Sequence, residues 1–262
     1  MPRPAIVRGV PQRPARPRVL VVGGTAEARD LAARLVALGL DVTSSLAGRV
    51  SRPRLPAGRV RVGGFGGVDG LRAALRDEGW THVVDATHPF AATMTAHALA
   101  AAGAEGVPLL RLARPGWSDH PDAGSWTWVD GHDAARDAAT GLGERPALTT
   151  GRQTLPHYRG PWADRAVLVR LVEPDPEPLP TAWTVVLDRG PYDVAGETGL
   201  LRRHRADVLL TKDSGGAYTA AKLDACRALG VPVVVVRRPA VPDGVATVDD
   251  VDGAVRWVTG GA

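Results

Sequence analysis

Two residue types are nearly missing from this 262-residue chain. It has one cysteine, Cys226, and only two lysines, Lys212 and Lys222, against 30 arginines. A lone cysteine excludes a disulfide framework and any multi-cysteine zinc or iron–sulfur centre. No metal is expected, and the reducing cytosol is the expected compartment. Where arginine is so strongly preferred, a surviving lysine suggests that an ammonium is wanted, because only the amine readily shifts its pKa on burial. Long apolar runs are also missing. The runs are a handful of residues, such as Val233–Val236, far short of the ~20 residues that cross a bilayer, so no membrane partner is expected.

Excess positive charge is confined to one end. Residues 1–18 hold Arg3, Arg8, Arg13, Arg16 and Arg18 with no acid, and the rest of the chain carries 27 basic and 28 acidic residues. The net charge of +4 therefore says nothing about the body, and no nucleic-acid partner is expected. Five prolines share that stretch, so residues 1–17 are expected to be a disordered, dispensable tail. The tail lacks the apolar run of a secretory signal.

From Arg18 onward short apolar runs alternate with helical segments. Strands are expected at Arg18–Val22, Leu40–Ser45, Arg59–Val62, Thr81–Asp85 and Val107–Leu112, and helices at Ala26–Leu38, Val68–Glu78 and Ala91–Ala102. The Pro- and Gly-rich stretch Ala113–Gly124 reads as a boundary or lid. Beyond it the theme repeats, with strands at Ala147–Thr150, Ala166–Leu171, Thr184–Leu187, Val208–Thr211 and Val233–Val236. Helices are expected at Val194–Arg203, Ala217–Leu229 and Val251–Val258. The expected fold class is α/β: two doubly wound lobes with parallel sheets, residues 18–113 and 124–262, and a cleft between them.

The chemistry-bearing residues cluster at strand ends. Gly23-Gly24-Thr25-Ala26 joins the first strand to the first helix, where it is either a plain tight turn or a seat for a dinucleotide pyrophosphate. The second strand ends Thr43-Ser44-Ser45 and leads to Arg49. It lacks the acid that an NAD ribose usually meets, and Asp41 opens the strand at the wrong end of the sheet. Two hydroxyls and an arginine suit a 2′-phosphate, though a polar loop would look the same. Gly63-Gly64-Phe65-Gly66-Gly67 follows the third strand and is a flexible turn or a close approach to ligand. Asp85-Ala86-Thr87-His88 ends the fourth strand. There His88 can donate a proton or hydrogen bond, or Asp85 or Thr87 can cap the next helix while His88 packs. In the second half, Thr150-Gly151-Arg152 and Lys212-Asp213-Ser214-Gly215-Gly216 read as anion cradles with one cation each. Tyr218 and Lys222 match the Tyr-x-x-x-Lys pair of short-chain dehydrogenases, but about 195 residues after the first glycine turn, so the match is taken as coincidence. Seven of the twelve aromatics are tryptophan. Trp126 and Trp128 read as strand packing, and Trp117 as a cover for a flat ligand or as core.

In order, Gly23–Arg29, Ser44–Arg49, Val62–Gly67, Asp85–Ala91, Thr150–Arg152, Arg170–Pro174, Arg189–Pro191 and Thr211–Gly216 resemble the precorrin-6A reductase family of cobalamin biosynthesis. The resemblance spans nearly all of residues 18–258. It implies NADPH-dependent reduction of one ring double bond of precorrin-6A to precorrin-6B, and two Rossmann-like lobes, with strand exchange between them as one arrangement. It also implies a tetrapyrrole in the cleft, with other enzymes of the corrin pathway as candidate partners. Combined with the residue reading, it assigns catalysis to His88 and Lys212. Cofactor binding falls to Gly23, Gly24, Thr25, Ala26, Ser44, Ser45, Arg49, Gly63, Gly64, Phe65, Asp85 and Thr87, and substrate binding to Thr150, Gly151, Arg152, Ser214, Gly215 and Gly216. An NADP-dependent short-chain-like or sugar-nucleotide dehydrogenase and a noncatalytic NADP sensor are the alternatives. The cationic cradles favour a polyanionic substrate over the first, and turnover with the macrocycle would exclude the second.

Overall fold

The structure is a computed structural model that describes residues 16–48 and 54–260. The tail expectation falls almost wholly outside these residues, and so does Arg49. The first half runs β1 (Arg18–Val22), α1 (Ala26–Ala37), β2 (Asp41–Leu46), β3 (Arg59–Val62), α2 (Gly67–Glu78), β4 (His82–Asp85), α3 (Ala92–Glu105), β5 (Leu109–Leu112), β6 (Thr127–Val129) and α4 (His132–Thr140). The second half runs β7 (Pro146–Leu148), α5 (Pro156–Arg159), β8 (Leu168–Leu171), β9 (Thr184–Leu187), α6 (Val194–His204), β10 (Val208–Lys212), α7 (Ala221–Leu229), β11 (Val233–Val236), β12 (Ala246–Val248) and α8 (Val251–Thr259). The segment expected as one helix from Ala217 begins as a 3-10 turn, Ala217–Thr219, and becomes α-helical at Ala221.

Two six-stranded parallel sheets result, ordered β12-β5-β4-β1-β2-β3 and β6-β11-β10-β7-β8-β9. Each has the doubly wound order, with its switch point between β1 and β4 or between β7 and β10. The strands are almost continuously apolar because both faces are covered. In the first sheet Val19 and Val21 pack under α1 and α8 with Leu31, Leu35, Ala254 and Val258, while Leu20 and Val22 face Leu71, Leu75 and Ala98. In the second, Leu148 and Leu210 face Tyr158 and Val169, and Ala147 and Leu209 face Leu201 and Leu223.

The lobe boundary read from the sequence needs correcting at its far end. Residues 124–262 do not make one lobe, because β12 pairs with β5 and α8 packs on α1 of the first lobe. The exchange is reciprocal. β6 follows β5 in the chain yet pairs with β11 in the second sheet. Each half donates its sixth strand, with the helix that follows, to the other half's sheet. The two exchanged units are alike in sequence. Val129-Asp130-Gly131-His132-Asp133 and Val248-Asp249-Asp250-Val251-Asp252 are near-copies of one strand-to-helix unit. Asp250 caps α8 by accepting from Gly253 N at 2.6 Å.

Candidate active site

The carboxyl edges of the two sheets meet where the chain crosses between them. Arg114, just past β5, donates through Nε to the carbonyls of Ser214 at 2.6 Å and Gly215 at 3.1 Å. Its Nη1 lies 2.9 and 2.8 Å from the two carboxylate oxygens of Glu27 on α1. Arg114 and burial act oppositely on Glu27, and the net effect is a carboxyl held below its usual range. The return crossing lies alongside: Arg238 donates to the Arg114 carbonyl at 3.0 Å and to Asp213 at 3.1 Å.

On the first lobe the glycine turn is where it was expected. Gly23 has φ +123°, and a Cβ there would lie 2.6 Å from the Ala86 carbonyl, so the β1 and β4 ends approach as only glycine allows. Thr25 caps α1 by accepting from Ala28 N at 3.1 Å and donates to the Ala86 carbonyl at 3.0 Å. Ala26 opens the helix, and Gly24 is adjacent. At Gly63, Gly64, Gly66 and Gly67 a Cβ would meet nothing within 4 Å, so this edge is an open cradle. Phe65 is less available than expected, because it packs against the Leu71–Leu75 core and its ring lies under the Arg61 guanidinium at 4.0 Å.

Three cofactor assignments change. Ser44 and Ser45 are buried within β2, and among the described residues the Ser44 hydroxyl has no hydrogen-bond partner. Asp85 is fully buried and its oxygens are occupied, by Thr95 Oγ1 at 2.6 Å, Thr87 N at 3.0 Å and Arg111 at 2.6 Å. It anchors the loop and does not face a ligand. Thr87 Oγ1 accepts from Arg111 at 2.8 Å. The sequence signal for this network was an arginine inside an apolar strand, Leu110-Arg111-Leu112, which must find a buried counter-charge. Arg170 of β8 repeats the pattern against Glu197. Asp41 pairs with Arg18 and Arg59 at the opposite edge, as its position in β2 implied.

On the second lobe the substrate assignments divide. Gly215 and Gly216 are glycine because the crossing segment lies on them: a Cβ would run into the Pro115 carbonyl at Gly215, or meet Arg114 Cδ at 2.7 Å at Gly216. Gly216 N donates to the Pro115 carbonyl at 3.2 Å, and the Ser214 hydroxyl is 3.0 Å from Thr219 Oγ1. This loop is a joint between lobes and not an open anion cradle. Thr150 is fully buried, and Arg152 donates to the Pro174 carbonyl at 3.0 Å. Trp117 does not cover a ligand, because it is core, with its indole donating to the Gly216 carbonyl at 3.1 Å. Lys222 is buried over the Trp117 ring and donates to the Thr219 carbonyl at 2.6 Å, so the Tyr218–Lys222 match is spent structurally.

Lys212, Gly151, His88 and Phe90 are brought together. The Lys212 ammonium lies 5.0 Å from the Phe90 ring centre and within 3.9 Å of where a Gly151 Cβ would sit. Among the described residues it makes no ion pair, and burial pulls its pKa down to about 8. His88 falls to about 3, through burial first and then the charges of Lys212, Arg114, Arg238 and Arg111. Its Nδ1 accepts from Phe90 N at 3.2 Å, which leaves Nε2–H as a donor. His132, which the sequence reading passed over, adjoins this group. Burial and then Lys212 lower its pKa to about 4.

Two doubly wound parallel sheets meeting at a cleft, with an ammonium there that is unpaired among the described residues, define a two-lobed α/β protein of the dinucleotide-fold class. The chain belongs to the precorrin-6x reductase CbiJ/CobK family, whose model matches residues 18–259. It is 50% identical over 245 residues to a precorrin-6A reductase of Rhodococcus erythropolis, covering 92% of this chain and 97% of the relative. A cobalt-precorrin-6A reductase of Salmonella typhimurium is 31% identical, over 84% of this chain and 87% of the relative. The solved structure of a CobK precorrin-6A reductase superposes with a TM-score of 0.85 at 40% identity, covering 93% of this chain and 96% of that one.

Proposed function

We propose that this protein reduces one ring double bond of precorrin-6A to give precorrin-6B, with NADPH as reductant. The observation that carries this reading is Lys212: an ammonium without an ion-pair partner among the described residues, half-buried between two lobes at a switch point, beside His88 and Phe90 of the other lobe. The first lobe fits a nicotinamide dinucleotide. Its α1 N-terminus presents amides and partial positive charge to a pyrophosphate, and the open glycine edge at 63–67 leaves room for the nucleotide. The lack of an acid at the end of β2 favours the 2′-phosphorylated cofactor. Arg61, held by the Gly63 and Gly64 carbonyls at 2.8 and 2.9 Å, is a fixed cation at this edge. When bound, the cofactor supplies a hydride.

The protein's own side chains supply the rest. Lys212, poised near neutral pH, gives the balancing proton to the second carbon of the reduced bond. His88 stays neutral and offers its Nε2–H as a fixed hydrogen bond. The Phe90 ring lies against both, 5.0 Å from the Lys212 ammonium and 5.8 Å from the His88 ring. The greater identity to the relative named for the cobalt-free ring, 50% against 31%, favours cobalt-free precorrin-6A. No described helix is long and apolar enough to cross a membrane, and a cytosolic place beside other corrin-pathway enzymes goes with this reading. The test is to offer NADPH or NADH with precorrin-6A and with its cobalt complex. Faster oxidation of NADPH with the cobalt-free ring is expected. Equal use of the two cofactors would contradict the NADPH assignment.

A further inference from the structure

His132 opens α4 on the exchanged β6–α4 unit, and its surroundings fix its chemistry. Its Nδ1 lies 2.8 Å from the Tyr158 hydroxyl. Tyr158 is fully buried, and burial pushes its phenol far up, so the hydroxyl keeps its proton. Among the described residues His132 Nδ1 is the one group in hydrogen-bonding geometry with that hydroxyl, so the buried phenol gives its single proton there. The ring proton must then sit on Nε2.

The same imidazole walls a cavity of about 360 Å³, together with Phe90, Asp130, Val236, Arg237 and Arg238. That volume is at the small end for ligand pockets, suited to a side arm rather than to a whole macrocycle. The one carboxylate on the wall, Asp130, is paired with Arg237 at 3.3 Å. Lys212 stands behind Phe90, so the field favours an anion.

We propose that His132 is a substrate-binding residue whose Nε2–H donates to a carboxylate arm of the macrocycle seated in this cavity. The exchanged unit thus supplies part of the substrate site. This deepens the precorrin-6A reading and rests on it.

The two ring nitrogens can be tested separately. Asn places its amide near Nδ1 and can still meet Tyr158, whereas Gln places its amide near Nε2. His132→Asn and His132→Ala are expected to raise KM and the dissociation constant for precorrin-6A roughly ten- to a hundredfold, with kcat and NADPH affinity within about twofold. His132→Gln is expected to recover most of the binding. Precorrin-6A with its arms esterified should bind wild type and His132→Ala alike. The inference is overturned if His132→Asn binds like wild type while His132→Gln does not, since the Tyr158 bond would then be the whole role. Undiminished binding by all three variants, or the same loss with the ester, also overturns it. Failure of the wild-type protein to bind or reduce precorrin-6A at all would instead bring down the underlying reading.

Discussion

Lys212 carries the account because it is charged, half-buried and unpaired by any described acid, and so its protonation is exposed to pH. Its pKa of about 8 lies below the ordinary lysine value, and burial is the cause. Macrocycle reduction is therefore expected to fall as pH rises through about 8, where the proton to be donated is lost. The stability sign is opposite. Above about 8 the folded chain has released a proton that the unfolded lysine keeps until about 10.4, so this site's contribution to stability rises with pH across that window. Lys212→Ala should remove the alkaline limb with most of the turnover, while binary NADPH binding and melting temperature stay near wild type. Lys212→Arg should rescue poorly, because a guanidinium does not give up its proton near neutral pH. Steady-state pH profiles decide this, and normal turnover by the alanine variant would contradict the role. A second expectation concerns Gly23. Gly23→Ala forces a Cβ against the Ala86 carbonyl at φ +123° and should cost about 2–4 kcal/mol in denaturant unfolding. Gly23 and Lys212 were both legible in the sequence, one from a strand-to-helix turn and the other from lysine scarcity. Asp85 was misread, because a carboxylate at a strand end looks the same whether it faces ligand or a buried arginine. His132 was invisible, since nothing local says which lobe its helix joins.

The alternation of strands and helices was readable because parallel strands buried on both faces are written as apolar runs such as Val233–Val236. The exchange of β6 and β12 was readable only through the family resemblance, which offered a strand exchange, and not from the residue pattern, because a three-residue strand has the same pattern in either sheet. Thr127–Val129 and Ala246–Val248 differ only in which edge they complete. The consequence can be measured. Ending the chain at residue 245 removes β12 and α8, and with them Ala254 and Val258 from the core under Val19, Val21, Leu31 and Leu35. Such a chain should lose cooperative unfolding of the first lobe and NADPH binding, although every proposed cofactor residue is kept. Unchanged NADPH affinity, read by nicotinamide fluorescence, would mean that α8 is an accessory element.

The two lobes are tied by paired crossings, and Arg114 is the knot: one guanidinium holds Glu27 of the first lobe and the Ser214 and Gly215 carbonyls of the second. Arg114→Ala leaves the Glu27 carboxylate without its partner and two carbonyls short of a donor, a loss of about 2–4 kcal/mol by the usual cost of breaking partly buried charge pairs. Calorimetry should show a lower transition. NADPH should also no longer tighten macrocycle binding, as it does if the lobes close on both ligands together; an unaltered thermogram would mean that Arg238 and Asp213 suffice. The claim that the cleft transfers a hydride from one lobe's ligand to the other's is tested most directly by isotope. In a single turnover of precorrin-6A with NADPH deuterated at the transferable position of the nicotinamide, the product should gain one deuterium from the cofactor and one hydrogen from solvent. Running the unlabelled reaction in D2O should reverse the two. A product with no cofactor-derived deuterium, or a macrocycle recovered unreduced, would contradict the account.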